Sequence, residues 1–126
     1  MRLLLDTHLL LWALGSPAKL SAATRREIQS ADVFVSAASI WEVSIKRSLG
    51  KLQADPREIL AAIAPAGFAL LAVTGEHAAK IVELPPLHRD PFDRMLVAQA
   101  SIEPMILLTN DEALRDYGSF VKVMRH

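Results

Sequence analysis

The sequence predicts an α/β fold, specifically a three-layer α/β/α sandwich with a mainly parallel central sheet. Two observations predict it: short apolar runs recur along the 126 residues, and segments with helical periodicity separate them. The apolar runs are continuous rather than alternating, which is typical of parallel strands that are covered on both faces. Strands that alternate with helices favour a parallel sheet with right-handed crossovers. We expect a single domain over residues 1–126.

Both kinds of element can be located in the chain. The predicted strands are Leu3–Leu5, Val33–Val35, Phe68–Val73, Met105–Leu108 and Val121–Met124. The predicted helices are His8–Leu14, Ala22–Ser30, Ser39–Leu49, Pro56–Ala64, Glu76–Glu83, Pro91–Ile102 and Glu112–Tyr117.

Residues that commonly begin or end helices stand at several of these bounds. Ser21 can cap the second helix, and Gly50 can end the third. Asp55 and Asp90 each precede a proline, which is the usual order of an N-cap and the first helical residue. These signals support the predicted succession of strands and helices.

Composition limits the classes of protein that fit this sequence. Apolar residues make up 52% of the chain, but no apolar stretch reaches the roughly 18 residues that a membrane span needs. The opening residues meet an acid, Asp6, before a signal-peptide core forms, so we expect a cytoplasmic protein with no membrane partner. Because the chain has no cysteine, any metal must be bound by oxygen or imidazole. The formal net charge is +0, so binding to RNA would depend on a local basic patch.

Four acids fall where the predicted sheet would carry a functional site. Asp6 follows the first strand, Glu42 lies one turn into the third helix, Asp93 lies in the first turn of the sixth, and Asp111 follows the fourth strand. In open parallel sheets, function collects beyond the carboxyl ends of the strands. Carboxylates that converge there repel one another unless a cation neutralises them, and Mg²⁺ and Mn²⁺ prefer oxygen ligands. The sequence therefore predicts a divalent-metal site.

Each acid also has a purely structural interpretation. Asp6 can cap the first helix, Glu42 can form an i,i+4 ion pair with Lys46, and Asp111 can begin the last helix. Asp90 is interpreted first as an ordinary N-cap and only second as part of the site. Capping and metal binding are compatible, so both interpretations stay open.

Hydroxyl and basic side chains accompany the acids. Thr7, Ser39 and Thr109 can position water or phosphate, although local capping bonds explain them equally well. The basic residues that flank the predicted crevice can bind an RNA backbone or simply be solvated. They are Lys46, Arg47, Lys51, Arg89 and Arg94.

Histidines and tryptophans near these segments are harder to assign. Because lone histidines without a defined geometry are more often structural, we leave His8 and His88 out of the predicted metal site. Trp12 and Trp41, with the apolar first and third helices, can form a groove for a partner helix or belong to the core.

Four segments, in order along nearly the whole chain, resemble the PIN-domain family, and more closely its VapC-type toxins of bacterial toxin–antitoxin pairs. The segments are LLLDTH at 3–8, SIWEV at 39–43, HRDPFDRMLVAQA at 88–100 and LLTND at 107–111. The most specific part is DPFDR at 90–94. The resemblance implies a PIN-like α/β/α fold.

The resemblance also implies a Mg²⁺- or Mn²⁺-dependent endoribonuclease, usually a homodimer, that a cognate antitoxin protein inhibits. It maps the four acids of the family onto Asp6, Glu42, Asp93 and Asp111. The family's hydroxyl near the fourth acid maps onto Thr109. The fourth acid varies in the family, and Asp90 belongs to a subgroup pattern, so we carry Asp90 as a supporting residue.

Our hypothesis is that Asp6 and Asp93 bind the ion directly, while Glu42 and Asp111 hold water ligands or a second ion. A metal-activated water would then hydrolyse an RNA phosphodiester bond. Two alternatives are a receiver-like Mg²⁺-binding signalling domain and a PIN scaffold that binds RNA without cutting it. A receiver would need paired acids after the first strand and an acid after a middle strand, whereas here Asp6 stands alone and Ser36 follows Val35.

Overall fold

The computed structural model describes residues 1–124. In these residues the strands are β1 (Arg2–Leu5), β2 (Asp32–Ser36), β3 (Ala69–Leu71), β4 (Ile106–Thr109) and β5 (Val121–Val123). The α-helices are α1 (Thr7–Gly15), α2 (Ala22–Gln29), α3 (Ala37–Ser48), α4 (Pro56–Ile63), α5 (Gly75–Lys80) and α6 (Pro91–Ile102). Short 3₁₀ helices cover Pro17–Lys19, Ile81–Glu83 and Glu112–Tyr117.

The strands form one sheet in the order β3-β2-β1-β4-β5, and every neighbouring pair is parallel. β1 lies at the centre, with Leu4 opposite Phe34 on one side and Leu107 on the other. The predicted α/β class with a parallel central sheet is confirmed. The longest helices of the described residues, α3 and α6, have 12 residues each, and neither they nor the shorter ones are long and apolar enough to cross a membrane.

Side chains that alternate along β1 point to two separate hydrophobic cores. Leu3 and Leu5 pack with Leu9 of α1, Ile28 of α2 and Ile63 of α4 on one face of the sheet. On the opposite face the core is built by β1, β4, β5, α6 and the last 3₁₀ helix, and its members include Leu4, Leu96, Leu107, Leu114 and Val121. Because successive strand residues face opposite sides, this division gives the three layers that the sequence predicts.

The capping signals of the sequence act as predicted. Ser21, Asp55 and Asp90 each accept a hydrogen bond from a backbone N–H in the first turn of the helix that follows. Gly50 comes just after α3 with φ 73°, a left-handed conformation that glycine adopts without steric cost. α3 begins at Ala37 rather than Ser39, because the Ser36 side chain accepts from Ala38 N and caps the helix earlier.

Three elements differ from the sequence expectations. The third strand is shorter than Phe68–Val73, and Leu70 is 49% exposed, because β3 is an edge strand that neighbours only β2. The predicted Glu76–Glu83 helix stops at Lys80 and continues as a 3₁₀ turn. The last predicted helix is also of the 3₁₀ type.

The strand order determines where loops leave room for a site. From β1 the chain continues to β2 on one side, whereas β4 lies on the other side of β1 and leads to β5. The connections that follow β1 and β4 therefore run in opposite directions and leave a crevice at the carboxyl ends of these two strands.

We predict that Leu108→Ala in β4 lowers the free energy of unfolding by roughly 2 to 5 kcal/mol, because this leucine is 0% exposed and its truncation leaves a cavity. Urea denaturation followed by circular dichroism measures this loss. The control is Val82→Ala, where the side chain is 88% exposed and the change should be within about 0.5 kcal/mol. Equal stabilities of the two variants would contradict the assigned core.

Candidate active site

A pocket of about 200 Å³ lies in the crevice between the carboxyl ends of β1 and β4. All four acids of the predicted metal site line it, together with Asp90 and one cation, Lys46. The remaining lining residues are Thr7, His8, Leu11, Leu52 and Asn110. The predicted meeting of the acids at one edge of the sheet therefore holds in the structure.

Asp6 is the most deeply buried of the acids, with 4% of its surface exposed. Its Oδ1 accepts from Leu9 N at 2.7 Å and caps α1. Its Oδ2 accepts from the Thr109 hydroxyl at 2.5 Å. Asp6 thus has both the capping role and the position in the crevice that the sequence left open. Thr109 also accepts from Asp111 N at 3.0 Å and so connects two of the acids.

Glu42 is held between a hydroxyl and an ammonium group. The Thr7 hydroxyl donates to its Oε1 at 2.7 Å and lies 2.9 Å from Ser39 Oγ. Lys46 Nζ donates to its Oε2 at 2.6 Å, which is the i,i+4 pair considered above. The pair does not lie on a solvated face, because Glu42 is only 6% exposed and both residues line the pocket.

Asp90 and Asp93 both lie at the start of α6. Asp90 Oδ1 accepts from the backbone N–H groups of Phe92 and Asp93, at 2.8 and 3.1 Å, so the N-cap interpretation is confirmed. Asp93 projects from the first turn, and its Oδ2 lies 3.6 Å from His88 Nε2. Both acids nevertheless line the pocket.

His88 joins the acids, which the sequence analysis did not expect. Its Nε2 lies 3.1 Å from Asp111 Oδ2, and its Nδ1 accepts from Asp90 N at 3.0 Å. Asp111 also caps the last 3₁₀ helix by accepting from Ala113 N at 2.9 Å. The signal was the position of His88 two residues before Asp90, just ahead of the DPFDR segment, but position alone could not give the direction of its ring.

Burial raises the pKa of two of these acids, and repulsion by neighbouring carboxylates adds to the effect for Asp93. Burial raises the pKa of Asp6, against the lowering effect of its hydrogen bonds to Thr109 and Leu9. Burial and then the charge of Asp90 raise the pKa of Asp93 to about 7, with His88 acting in the opposite direction. The hydrogen bond to Glu42 raises the pKa of Lys46, so the lysine keeps its positive charge beside the acids.

The predicted RNA-binding cations have different surroundings. Lys46 lines the pocket. The Arg94 guanidinium instead donates to the carbonyls of Ile81 and Leu84 and so connects α6 to the 3₁₀ turn that precedes it. Arg47 donates to the carbonyl of Gln53, and Arg89 and Lys51 are exposed. Lys46 is therefore the member of this set that faces the acids directly.

The donor set fits a hard divalent cation. It offers carboxylate oxygens from four residues in a partly desolvated pocket, and a carboxylate that accepts one hydrogen bond per oxygen keeps further lone pairs for a metal. Within residues 1–124, ligand atoms of His88, Asp93 and Asp111 lie within 4.8 Å of one another. The raised pKa of Asp93 comes from burial first and then from the neighbouring carboxylates, and a bound cation would oppose both effects.

The structure thus combines a parallel three-layer α/β domain with an acidic pocket at the carboxyl ends of β1 and β4. The PIN domain family model matches residues 3–119 of this chain. The chain therefore belongs to the PIN domain family, whose members are nucleases and generally depend on divalent metal ions. This membership excludes the receiver-like alternative. Curated protein sequences gave no significant match.

Solved structures with the same fold include two that hold VapBC proteins. A chain of VapBC2 from Rickettsia felis, bound to a DNA fragment from their promoter, matches with a TM-score of 0.71 at 16% identity, over 98% of both chains. A chain of DNA-bound VapBC from Salmonella typhimurium matches with a TM-score of 0.66 at 13% identity, over 98% of this chain and 97% of that one. At these identities the matches establish the shared fold.

We predict that Asp93 makes the metal-free protein less stable as the pH rises. Its pKa is about 7 in the folded state against an ordinary 3.8, so the folded state binds the proton more tightly than the unfolded chain. The penalty grows between these two values and is complete above about 7, on the order of 4 kcal/mol. Asp93→Asn should remove it.

Urea denaturation of both proteins in chelator, at several pH values, measures the effect. The stability of Asp93→Asn relative to wild type should increase across this pH range. A constant difference between the two proteins would contradict the raised pKa.

Proposed function

We propose that this protein is a Mg²⁺- or Mn²⁺-dependent endoribonuclease and the toxin of a toxin–antitoxin pair. The observation that carries the nuclease is the convergence of Asp6, Glu42, Asp93 and Asp111 on one pocket in a member of the PIN domain family. The toxin assignment is supported by the VapBC proteins among its structural neighbours and by the sequence resemblance to VapC-type toxins.

Each acid has a role that follows from its surroundings. Asp6 and Asp93 would hold the ion directly, since Asp6 follows β1 and Asp93 lies in the first turn of α6, and both line the pocket. The Asp93 carboxylate is also the one that His88 Nε2 approaches only to 3.6 Å. Glu42 and Asp111 would hold water ligands or a second ion. Thr7 and Thr109 orient Glu42 and Asp6 by hydrogen bonds at 2.7 and 2.5 Å, and Asp90 fixes the first turn of α6. Ser39 stands beside Thr7 as a further support.

A divalent ion, when bound here, supplies Lewis-acid activation of water and neutralises charge on phosphoryl oxygens. The residues of the chain orient the carboxylates, exclude bulk water around Asp6 and Glu42, and attract the RNA backbone. Lys46 is suited to the last role, since it lines the pocket and its side chain is 41% exposed. Arg89 would extend this contact, with smaller contributions from Arg47 and Arg94, whose guanidinium groups already bind backbone carbonyls.

We predict that Asp93→Asn abolishes cleavage of RNA, because it removes a carboxylate from the pocket without changing the size of the side chain. The assay is cleavage of total RNA by purified protein with Mg²⁺ or Mn²⁺, with and without excess chelator. Wild type should cleave and should stop in chelator. A loss of about 100-fold or more is expected from removal of a metal ligand.

The matched control for this experiment is Asp55→Asn. This variant makes the same chemical change at an N-cap, that of α4, but Asp55 does not line the pocket. It should cleave RNA at the wild-type rate. Folded wild type that binds RNA but cleaves none would contradict the nuclease and favour the scaffold that only binds RNA. Equal cleavage by wild type and Asp93→Asn would contradict the assigned site.

A second surface of the protein is suited to binding a protein partner. An apolar groove between α3, α4 and β3 contains the exposed side chains of Trp41, Leu60 and Leu70, which are 61%, 46% and 49% exposed. Trp41 also packs edge-on against Phe92 of α6, with ring centroids 5.2 Å apart. We propose that a helix of the antitoxin inserts its apolar face here, as amphipathic helices do in such grooves.

We predict that Trp41→Ser weakens capture of the antitoxin, because it removes the largest apolar contact of the groove. The test is co-expression with a candidate antitoxin, a small DNA-binding protein encoded next to this gene where the genome has one, and copurification on a tag. Val82→Ser, which changes a side chain 88% exposed outside the groove, should copurify as wild type. Unchanged copurification of Trp41→Ser would contradict the docking site.

We also propose that the protein is a homodimer, as the resemblance to VapC-type toxins implies. Sedimentation equilibrium of the free protein tests this. If Trp41→Ser converts a dimer to a monomer and leaves copurification intact, the groove belongs to the dimer interface instead.

A further inference from the structure

The imidazole of His88 is clamped between the two segments that carry the last two acids. Its Nδ1 accepts from the backbone N–H of Asp90, at 3.0 Å, in the loop before α6. Its Nε2 lies 3.1 Å from Asp111 Oδ2, beyond the end of β4. Its backbone N–H donates to the Tyr117 hydroxyl at 3.0 Å, in the 3₁₀ helix that Asp111 caps. Ring and backbone thus join the same two segments.

These contacts determine which ring nitrogen carries the hydrogen. A nitrogen that accepts from a backbone N–H has a free lone pair, so the hydrogen of the neutral ring is on Nε2. Nε2–H then donates to Asp111 and lies 3.6 Å from Asp93 Oδ2. Metal binding through Nε2 would require the hydrogen on Nδ1, where it would face the N–H of Asp90 with no acceptor between them.

We propose that His88 is a positioning residue of the active site, which holds Asp111 beside Asp93 by donating a hydrogen bond from Nε2. This inference rests on the proposed metal site. Supporting donors of this kind orient a carboxylate without contacting the metal, and their loss typically lowers metal affinity or activity by about 10- to 100-fold. His88 is therefore not a ligand itself, although its Nε2 lies 3.1 Å from Asp111 Oδ2 and 3.6 Å from Asp93 Oδ2.

The first test is the tautomer, observed by long-range ¹H–¹⁵N NMR of the imidazole at slightly alkaline pH, before and after addition of Mg²⁺. The expected spectrum has a protonated Nε2 and an unprotonated Nδ1 in both states. A ring that is protonated on Nδ1, or an Nε2 that loses its hydrogen when Mg²⁺ is added, would overturn the inference and make His88 a ligand.

The second test is the affinity for Mn²⁺ alone, measured by calorimetry. His88→Asn keeps an acceptor near Nδ1 and has no donor that reaches Asp111, so affinity should fall about 10-fold or more. His88→Gln places an amide N–H near the position of Nε2 and should restore part of it. Wild-type affinity of His88→Asn would refute the positioning role.

A double-variant cycle shows whether His88 acts through Asp111. The double variant His88→Asn with Asp111→Ala should bind Mn²⁺ as weakly as Asp111→Ala alone, because the carboxylate that His88 positions is already absent. Additive losses would overturn the inference. Tyr117→Phe removes the acceptor of the His88 backbone N–H but leaves the ring contacts, so it should bind Mn²⁺ nearly as wild type does.

These measurements do not require cleavage of RNA. If wild type binds Mn²⁺ and the NMR and the cycle give the expected results, the role of His88 stands even when no RNA is cut and the nuclease proposal fails. If RNA is cut and Asp93→Asn is inactive, but His88→Asn binds Mn²⁺ as wild type does, only the role of His88 is refuted.

Discussion

The hydrogen bond between the carboxylate of Asp6 and the hydroxyl of Thr109 is the interaction on which the site depends. It is 2.5 Å long, lies between residues of which 4% and 0% are exposed, and joins the ends of the two central strands. The other oxygen of Asp6 caps α1, so one side chain fixes β1, β4 and the first helix relative to one another. Burial of a charge is unfavourable unless such donors satisfy it. One buried acid, Asp6, therefore both stabilises the scaffold and lines the site.

The buried acids of the pocket lower the stability of the folded protein, and hydrophobic burial elsewhere has to compensate. Burial and neighbouring carboxylates raise the pKa of Asp93, and burial raises that of Asp6, so each ionised group is less favourable in the folded protein than in the unfolded chain. The two leucine-rich cores on either face of the sheet supply the opposing free energy, at about 1.5 to 3 kcal/mol for each fully buried leucine. A protein without a use for these acids would gain stability by losing them.

Sequence patterns predicted most of the fold, because buried strands and capped helices depend on local chemistry. Leu3–Leu5 forms a central strand and Asp90 an N-cap for reasons that neighbouring residues contain. The extent of β3 was not predictable, because Ala69 and Leu70 are apolar yet lie at an edge that only the strand order determines. The convergence of the four acids was predictable, because the predicted fold places them near the carboxyl ends of its parallel strands. The direction of the His88 ring was not predictable, because its Nε2 contacts Asp111, which is 23 residues away in sequence.

The four acids differ in the hydrogen-bond donors that the protein supplies to them. Asp6 accepts from Thr109 and Leu9, Glu42 from Thr7 and Lys46, and Asp111 from Ala113 and His88. The carboxylate of Asp93 lies 3.6 Å from His88 Nε2, beyond hydrogen-bond distance, and burial and then the charge of Asp90 raise its pKa to about 7. The protein thus supplies its own donors to three acids and leaves the fourth most dependent on positive charge from outside. A divalent cation beside Asp93 would meet that need, since it favours the ionised carboxylate that burial disfavours.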